Sequence, residues 1–143
     1  MSVTMKITRM TVLAGCAVAA LLTSAPRPLF AHHGAAAYEL QKSITLQGTV
    51  TSLDWSNPHC LLHFDAKSDA GEVRHWTIEL YNPLWLMRVG WKRTSLKPGD
   101  PITITFHASK NGATNGYIRD GDGKLTSNGK EFSFHLPGDE RIK

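Results

Sequence analysis

One short helical segment lies between two groups of predicted β-strands, and this order limits the folds open to the chain. Asn82 is a suitable N-cap, Pro83 suits the first helical position, and Gly90 follows an apolar run as a terminator. Before this segment, apolar and polar side chains alternate with the period of half-buried strands. The first alternating segment is interrupted at Gly48, which predicts a long, bent strand. The three alternating segments are residues 43–54, 59–66 and 72–80.

Alternation returns after the helix, where residues 102–107 predict a fourth strand. Further short strands are predicted near residues 117–119 and 131–136, with a Gly/Asp-rich turn between them at 120–130. Three strands, a short helix and then two or more strands predict a mainly β fold. We expect a small, OB-like antiparallel barrel of five to six strands with one short helix. A plain β-sandwich is the alternative architecture.

Length and composition exclude several classes of protein. A chain of 143 residues with 41% hydrophobic and 20% charged positions fits one globular domain, not a disordered, coiled-coil or polytopic membrane protein. The formal net charge of +4 includes Lys6, Arg9 and Arg27 of the N-terminal leader. Without the leader, thirteen basic residues face twelve acidic ones. This near-balance removes the electrostatic argument for nucleic acid as a partner.

The leader has the pattern of a secretory signal peptide over residues 1–31. Two cations precede an apolar run at 10–22, which is too short to cross a bilayer as a helix. Cleavage after Ala31 is predicted, leaving an N-terminal arm at 32–42 and a single barrel domain at 43–143. The mature protein is therefore expected in the periplasm or outside the cell, with no transmembrane helix.

The two cysteines bear on the leader and on redox chemistry. Leu13-Ala14-Gly15-Cys16 matches a lipoprotein box, so a lipid anchor at Cys16 is the minor alternative to a soluble exported protein. Cys60 is the only cysteine after the leader, which excludes an intramolecular disulfide. Because Cys60 lies on the predicted core face, we do not expect it to be a catalytic thiol.

Strand parity sorts the histidines between the two faces of the sheet. The apolar positions of the second and third strands face the predicted core, so His59, His63, His75 and Glu79 face outward. A hairpin closed around residues 69–70 would set His63 beside His75 and His59 beside Glu79, with Cβ atoms about 5 Å apart. The simplest interpretation of His63 and His75 is that they are exposed histidines without a specific role.

The pair His32-His33 carries the sharpest chemical prediction, because it would begin the mature chain. The free α-amine and imidazole of His32 can chelate one transition-metal ion. An imidazole from His33 or His59 would then complete a nitrogen-rich site. Copper(II) is the first candidate ion and zinc(II) the second. The competing interpretation is a polar terminus with two incidental histidines.

Residues around His59 are predicted to shape this site. Asn57 and Pro58 form the turn that precedes His59, and Glu79 would orient its imidazole from behind. Trp55 would close one end of the barrel or pack in its core. The predicted metal ligands are therefore His32, His33 and His59, and the residues that shape the site are Trp55, Asn57, Pro58 and Glu79.

The remaining motifs are weaker. His107 is placed on the outward face of the fourth strand, where it is expected to be exposed. Asp120-Gly121-Asp122-Gly123-Lys124 with Glu131 resembles a calcium loop only in part and is better explained by a hairpin turn. No arrangement of nucleophile and base has local support, and no phosphate loop occurs. An enzyme is therefore not favoured, and no catalytic residue is predicted.

Three motifs stand out along the chain: His32-His33-Gly34, Trp55-Ser56-Asn57-Pro58-His59 and Leu96-Lys97-Pro98-Gly99-Asp100. Together they resemble a bacterial family of small exported proteins of unknown function. The resemblance covers roughly residues 32–119 and implies an exported β-domain without implying an activity. It singles out six positions that overlap the candidate site: His32, His33, Trp55, Asn57, Pro58 and His59.

Two functions are therefore expected from the sequence. The first is a periplasmic binding module that holds copper or zinc through its N-terminal histidine arm. The alternative is a metal-free envelope domain that binds a protein partner through the outer barrel face, with Trp85 and Trp91 as contact residues. The sequence does not predict an oligomeric state.

Overall fold

The computed structural model of the protein describes residues 34–118, 123–136 and 138. The predicted signal peptide, Cys16, His32 and His33 lie outside these residues. After a single 3-10 turn at Ala35–Ala37, the described chain contains seven strands and one α-helix. In chain order they are β1 (Ile44–Asp54), β2 (Leu61–Lys67), β3 (Val73–Glu79), α1 (Pro83–Arg88), β4 (Pro101–Ala108), β5 (Asn115–Tyr117), β6 (Lys124–Ser127) and β7 (Lys130–Phe132).

Five of the strands close into a barrel. β1 pairs with β2, β2 with β3, β3 with β5 and β5 with β4, and β4 returns to pair with β1. The β3–β5 pair is parallel, whereas the other four pairs are antiparallel. β6 and β7 extend the sheet from β4. The predicted OB-like barrel is confirmed, and the sandwich alternative is wrong because one ring of strands closes on itself.

β1 closes the barrel because it has two partners along its length. Residues 44–49 pair with β4, whereas residues 49–54 pair with β2 through a bulge between Val50 and Ser52. Gly48 lies where the two pairings meet, and a Cβ there would be 2.4 Å from the Asp65 carbonyl oxygen. The predicted long strand interrupted at Gly48 is therefore confirmed, and the missing side chain lets β2 approach.

The inward positions of the strands form one hydrophobic core. Parity predicted this core correctly for β2, β3 and β4, where apolar side chains alternate with outward polar ones. Each fully buried large side chain contributes about 1.5–3 kcal/mol through the area removed from water. Residues with no exposed surface include Cys60, Leu62, Phe64, Ile78, Leu86, Ile104, Phe106 and Leu125.

α1 begins and ends where the local signals predicted. The Asn82 side chain accepts a hydrogen bond from the Trp85 amide at 2.8 Å. Gly90 has a φ of 93°, and the Trp91 amide donates to the Leu86 carbonyl at 2.9 Å, so a left-handed glycine terminates the helix. Leu86 is fully buried, which fixes one side of α1 against the barrel.

The C-terminal strands differ from the prediction. The segment at 120–130 is not one turn, because β6 lies inside it and pairs with β4. β6 and β7 are joined by Asn128 and Gly129 with φ angles of 50° and 76°, as an Asn-Gly hairpin turn requires. The Gly/Asp-rich composition of this segment predicts a turn, whereas the short alternating run at Lys124–Ser127 forms a strand. The two aspartates of the calcium-like motif lie outside the described residues.

Candidate functional site

The outer face of the β2–β3 hairpin carries three histidines, each of which contacts a carboxylate. β2 supplies His63, β3 supplies His75, and His59 lies two residues before β2. All three face away from the core, as strand parity predicted. The pairs are His59 with Glu79, His63 with Asp54, and His75 with Asp65.

The pairing register of this hairpin differs from the predicted one by two residues. His63 lies opposite Thr77, and His75 lies opposite Asp65, so the expected His63–His75 neighbours are wrong. The cause is the loop at 69–71, in which Gly71 has a φ of 82° and its amide donates to Ser68. The observed three-residue loop is centred on Ala70 and sets this register, and the even shift of two residues leaves every side chain on its predicted face.

His63 uses both ring nitrogens for hydrogen bonds within the sheet. Its Nδ1 lies 2.9 Å from the Thr77 hydroxyl, and its Nε2 lies 3.1 Å from an Asp54 carboxylate oxygen. His75 is different, because its side chain is 82% exposed and only Nδ1 contacts Asp65, at 2.5 Å. With both nitrogens occupied, His63 has no free lone pair for a metal ion, which is consistent with a structural role.

His59 and Glu79 contact each other even though the register has shifted. Backbone hydrogen bonds from Cys60 to Tyr81 and from Leu80 to Cys60 extend the β2–β3 pairing beyond the strand ends. This extension brings Nδ1 of His59 against Oε1 of Glu79. The imidazole is 42% exposed and the carboxylate 25%, so the pair lies at the protein surface with Glu79 on the inner side.

Tyr38 connects the N-terminal arm to the same carboxylate. Its ring is 5% exposed and stacks on Tyr117, with 5.4 Å between ring centroids. Its hydroxyl hydrogen-bonds to the side chains of Glu79 and Asn115. Burial, and then the negative charge of Glu79, raise the pKa of Tyr38, so the phenol stays protonated and donates to the carboxylate.

Asn115 has an unusual environment beside this tyrosine. Its side-chain amide donates to the Tyr38 oxygen, an interaction that lowers the pKa of the phenol and partly opposes the effect of burial. Its Oδ1 atom is buried and has no hydrogen-bond partner among the described residues. No sequence pattern pointed to Asn115, which lies on a three-residue strand.

His107 corrects a second expectation, because it is buried and not exposed. Residues 39–42 cross over β4, and Nδ1 of His107 lies 3.0 Å from the carbonyl oxygens of both Glu39 and Lys42. Since both partners can only accept, Nδ1 carries the proton. The side chain is 2% exposed because the arm covers it. Strand parity could not reveal this contact between distant parts of the chain.

The turn before His59 packs against the core on one side and faces solvent on the other. Trp55 is half-buried and packs against the core, while Asn57 and Pro58 are exposed and joined by a cis peptide bond. Cys60 follows on the core side and is fully buried, and burial raises the pKa of its thiol. We therefore assign Trp55 and Cys60 a packing role in the core.

The tryptophans expected on a partner surface are used within the domain. Trp91 is 2% exposed, and its indole N–H donates to the Ser133 carbonyl at 2.7 Å. Trp85 is half-buried, and its indole N–H donates to the Phe134 carbonyl at 3.0 Å. The expectation that Trp91 contacts a partner is wrong, because the segment that follows β7 covers it.

The described residues contain no group of three or more His, Cys, Asp or Glu side chains that could hold a metal ion. Within this part of the chain, no helix has the length and hydrophobicity needed to cross a bilayer. Of the three predicted metal ligands, His59 is the one that lies among the described residues.

Comparison with known proteins adds a family but no activity. A search of curated proteins found no match to the chain. A family model does match, over residues 18–119, which include the arm, the closed barrel and the His59–Glu79 pair. This match covers well over half of the chain and confirms the predicted resemblance to a family without an assigned function. The protein belongs to the family of unknown function DUF6152.

Proposed function

We propose that this protein is an exported β-barrel module that binds one transition-metal ion between its N-terminal histidines and His59. Cleavage after Ala31 would make His32 the first residue. Its α-amine and imidazole would chelate the ion, and His33 or His59 would supply a further imidazole. Copper(II) is the preferred ion because it binds such nitrogen ligands most tightly among the divalent ions, and zinc(II) is second.

The observation that supports this proposal best is the contact between Glu79 and Nδ1 of His59. A carboxylate on one ring nitrogen keeps the proton there and leaves the lone pair of Nε2 available. Histidines that bind metals almost always have such a partner on the other nitrogen, which fixes the ring and makes it a better ligand. Since the imidazole is 42% exposed, an ion can reach it.

The anchored arm supplies the second support. Tyr38 is buried beside Glu79, so the chain that precedes Tyr38 starts next to the His59–Glu79 pair. His33 is five residues before Tyr38, a separation that spans at most about 18 Å. The 3-10 turn at Ala35–Ala37 shortens this reach further. The length of chain between His33 and Tyr38 is therefore compatible with the proposed ligand set.

The test is a metal titration of the mature chain recovered after export. Native mass spectrometry gives the N-terminal residue and the number of copper ions retained per chain, and calorimetry gives the affinity. We expect a chain that starts at His32 and retains one copper(II) ion. His59→Ala and deletion of residues 32–33 should each lower the affinity at least about 10-fold.

His75→Ala is the matched control, because His75 also contacts a carboxylate but lies further along the hairpin. It should bind copper as the unmodified protein does. Equal losses in the His59 and His75 variants would indicate adventitious surface binding and would overturn the proposal. A mature chain that starts at His32 and retains no copper or zinc would favour the metal-free interaction domain.

A further inference from the structure

A second surface of the domain exposes apolar side chains on α1. Four large hydrophobic residues are exposed in the described part of the chain, and two of them, Leu84 and Met87, lie on this six-residue helix. They are 58% and 54% exposed. Three positions apart on a helix, they project from the same side. Isolated exposed apolar residues are common, but two neighbours on one short helix form a small patch.

The helix cannot turn this patch inward. Leu86 is fully buried on the opposite side, and the indole of Trp85 is bonded to the Phe134 carbonyl. Asn82 caps the first turn and Gly90 terminates the last one. Because both ends and the inner side of α1 are fixed, Leu84 and Met87 stay in contact with solvent unless something outside the domain covers them.

The charged residues that flank this helix in the sequence are basic. From residue 80 to residue 99 the chain has four basic residues and no acidic one. Arg88 ends α1, and Lys92 and Arg93 follow the glycine stop; all three are exposed and make no ion pair with a described carboxylate. The nearest acidic residue before α1 is Glu79, whose carboxylate is already engaged by His59 and Tyr38.

We propose that Leu84, Met87, Arg88, Lys92 and Arg93, here called the α1 patch, bind the surface of an anionic phospholipid membrane. Apolar side chains that insert at the headgroup boundary and cations that attract anionic lipids are the two elements of interfacial binding. Each exposed cation near such a surface adds attraction that salt screens. Long, exposed Lys and Arg side chains suit a fluid layer of phosphates, which imposes no fixed geometry.

The test is co-sedimentation of the metal-free protein with lipid vesicles. We expect the protein to sediment with vesicles of phosphatidylglycerol and phosphatidylethanolamine and to remain in solution with phosphatidylcholine vesicles. Leu84→Ser with Met87→Ser, and separately Lys92→Glu with Arg93→Glu, should each reduce the bound fraction several-fold. Raising the salt concentration should release the protein. The substituted side chains are exposed, and circular dichroism will verify that the variants fold.

Lys110→Glu with Lys124→Glu makes the same charge change at two exposed lysines outside the patch. This control should bind vesicles nearly as well as the unmodified protein. Equal binding to anionic and neutral vesicles, or an equal loss in the control, would overturn the proposal. No binding to anionic vesicles would also overturn it. Binding of an acidic protein at the α1 patch would then indicate a protein partner in place of the lipid. Metal binding at His59 does not enter these measurements.

Discussion

Glu79 receives hydrogen bonds from two directions, which makes one side chain responsible for both parts of the proposed site. The Tyr38 hydroxyl donates from the arm, and His59 contacts the same carboxylate from the segment just before β2. Charge-assisted bonds of this kind are stronger than those between neutral groups. Glu79 therefore holds the imidazole and the arm in a common arrangement, although it would not itself touch a metal ion.

Replacing Glu79 with glutamine tests this role while preserving size. The amide lacks the negative charge that orients His59, so we expect copper(II) affinity to fall about 10- to 100-fold. Calorimetry at neutral pH measures the change. Asp65→Asn makes the equivalent change at the His75 pair and should leave affinity unaltered. A loss of the same size in both variants would contradict the role assigned to Glu79.

The raised pKa of Tyr38 predicts a loss of stability in alkaline solution. Burial and the Glu79 charge raise this pKa above its ordinary value of 10.0, so the folded state holds the phenol proton more tightly than the unfolded chain does. The resulting stabilisation is complete below about pH 10 and is lost as the pH rises through the folded pKa. We expect the free energy of unfolding to fall across this range.

Tyr38→Phe removes this contribution while keeping the ring on Tyr117. Urea unfolding between about pH 9 and pH 12 should show a shallower decline for the variant than for the unmodified protein. Other alkaline groups are common to both proteins and cancel in the comparison. Identical slopes would show that Tyr38 titrates alike in the folded and unfolded states, against the expectation from burial.

At the scale of elements, β1 is the strand that makes the barrel close. It exchanges one partner for another at Gly48, where the backbone of β2 comes nearest. The φ of Gly48 does not lie in the left-handed region, so the backbone there would accept another residue. What excludes a side chain is space, since a Cβ would meet both the Asp65 carbonyl and the Phe64 ring.

Gly48→Ala should therefore destabilise the protein through steric overlap alone. We expect a loss of about 1–3 kcal/mol in the free energy of unfolding, the usual cost of adding a methyl group to a filled space. Denaturant unfolding measures it. Gly34→Ala is the control, because nothing lies within 4 Å of the added carbon. If the two variants were equally stable, the close approach of β1 and β2 would not be a constraint.

Elements that depend on local signals were predictable from the sequence. The cap, first-turn proline and glycine stop of α1 are within nine residues of one another, and inward and outward sides of β2 follow from simple alternation. The register of the β2–β3 hairpin was not predictable in the same way. The register depends on Gly71, which adopts a positive φ in the 69–71 loop. The same residues are also compatible with a two-residue turn, so the sequence does not distinguish the two loops.

For the whole molecule, the arm was the part that sequence reasoning misjudged. The expected arm carried histidines and little structure, whereas residues 38–42 are bound to β4 and β3 through His107 and Tyr38. Tyr38 was a usable signal, since it is the one tyrosine in an otherwise small and polar segment. His107 was not, because its burial results from a partner more than sixty residues away.

Metal binding should raise the stability of the whole domain if the proposed site is correct. A ligand that binds only the folded state at 100 times its Kd adds about 2.7 kcal/mol to the free energy of unfolding. We expect copper(II) to raise the Tm at pH 7. At about pH 5 the gain should disappear, because a protonated imidazole has no lone pair for the metal. A Tm increase that persists at pH 5 would exclude imidazole ligands.

The divided pairing of β1 also sets an order on how the chain folds. The second half of β1 pairs with β2, which follows it after a short turn. Residues 44–49 pair with β4, which comes after α1 in the sequence. Contacts that join distant segments form slowly, so ring closure is expected to be the late step of folding. Until then a bare strand edge is presented to other copies, and a chain interrupted before β4 would aggregate through it.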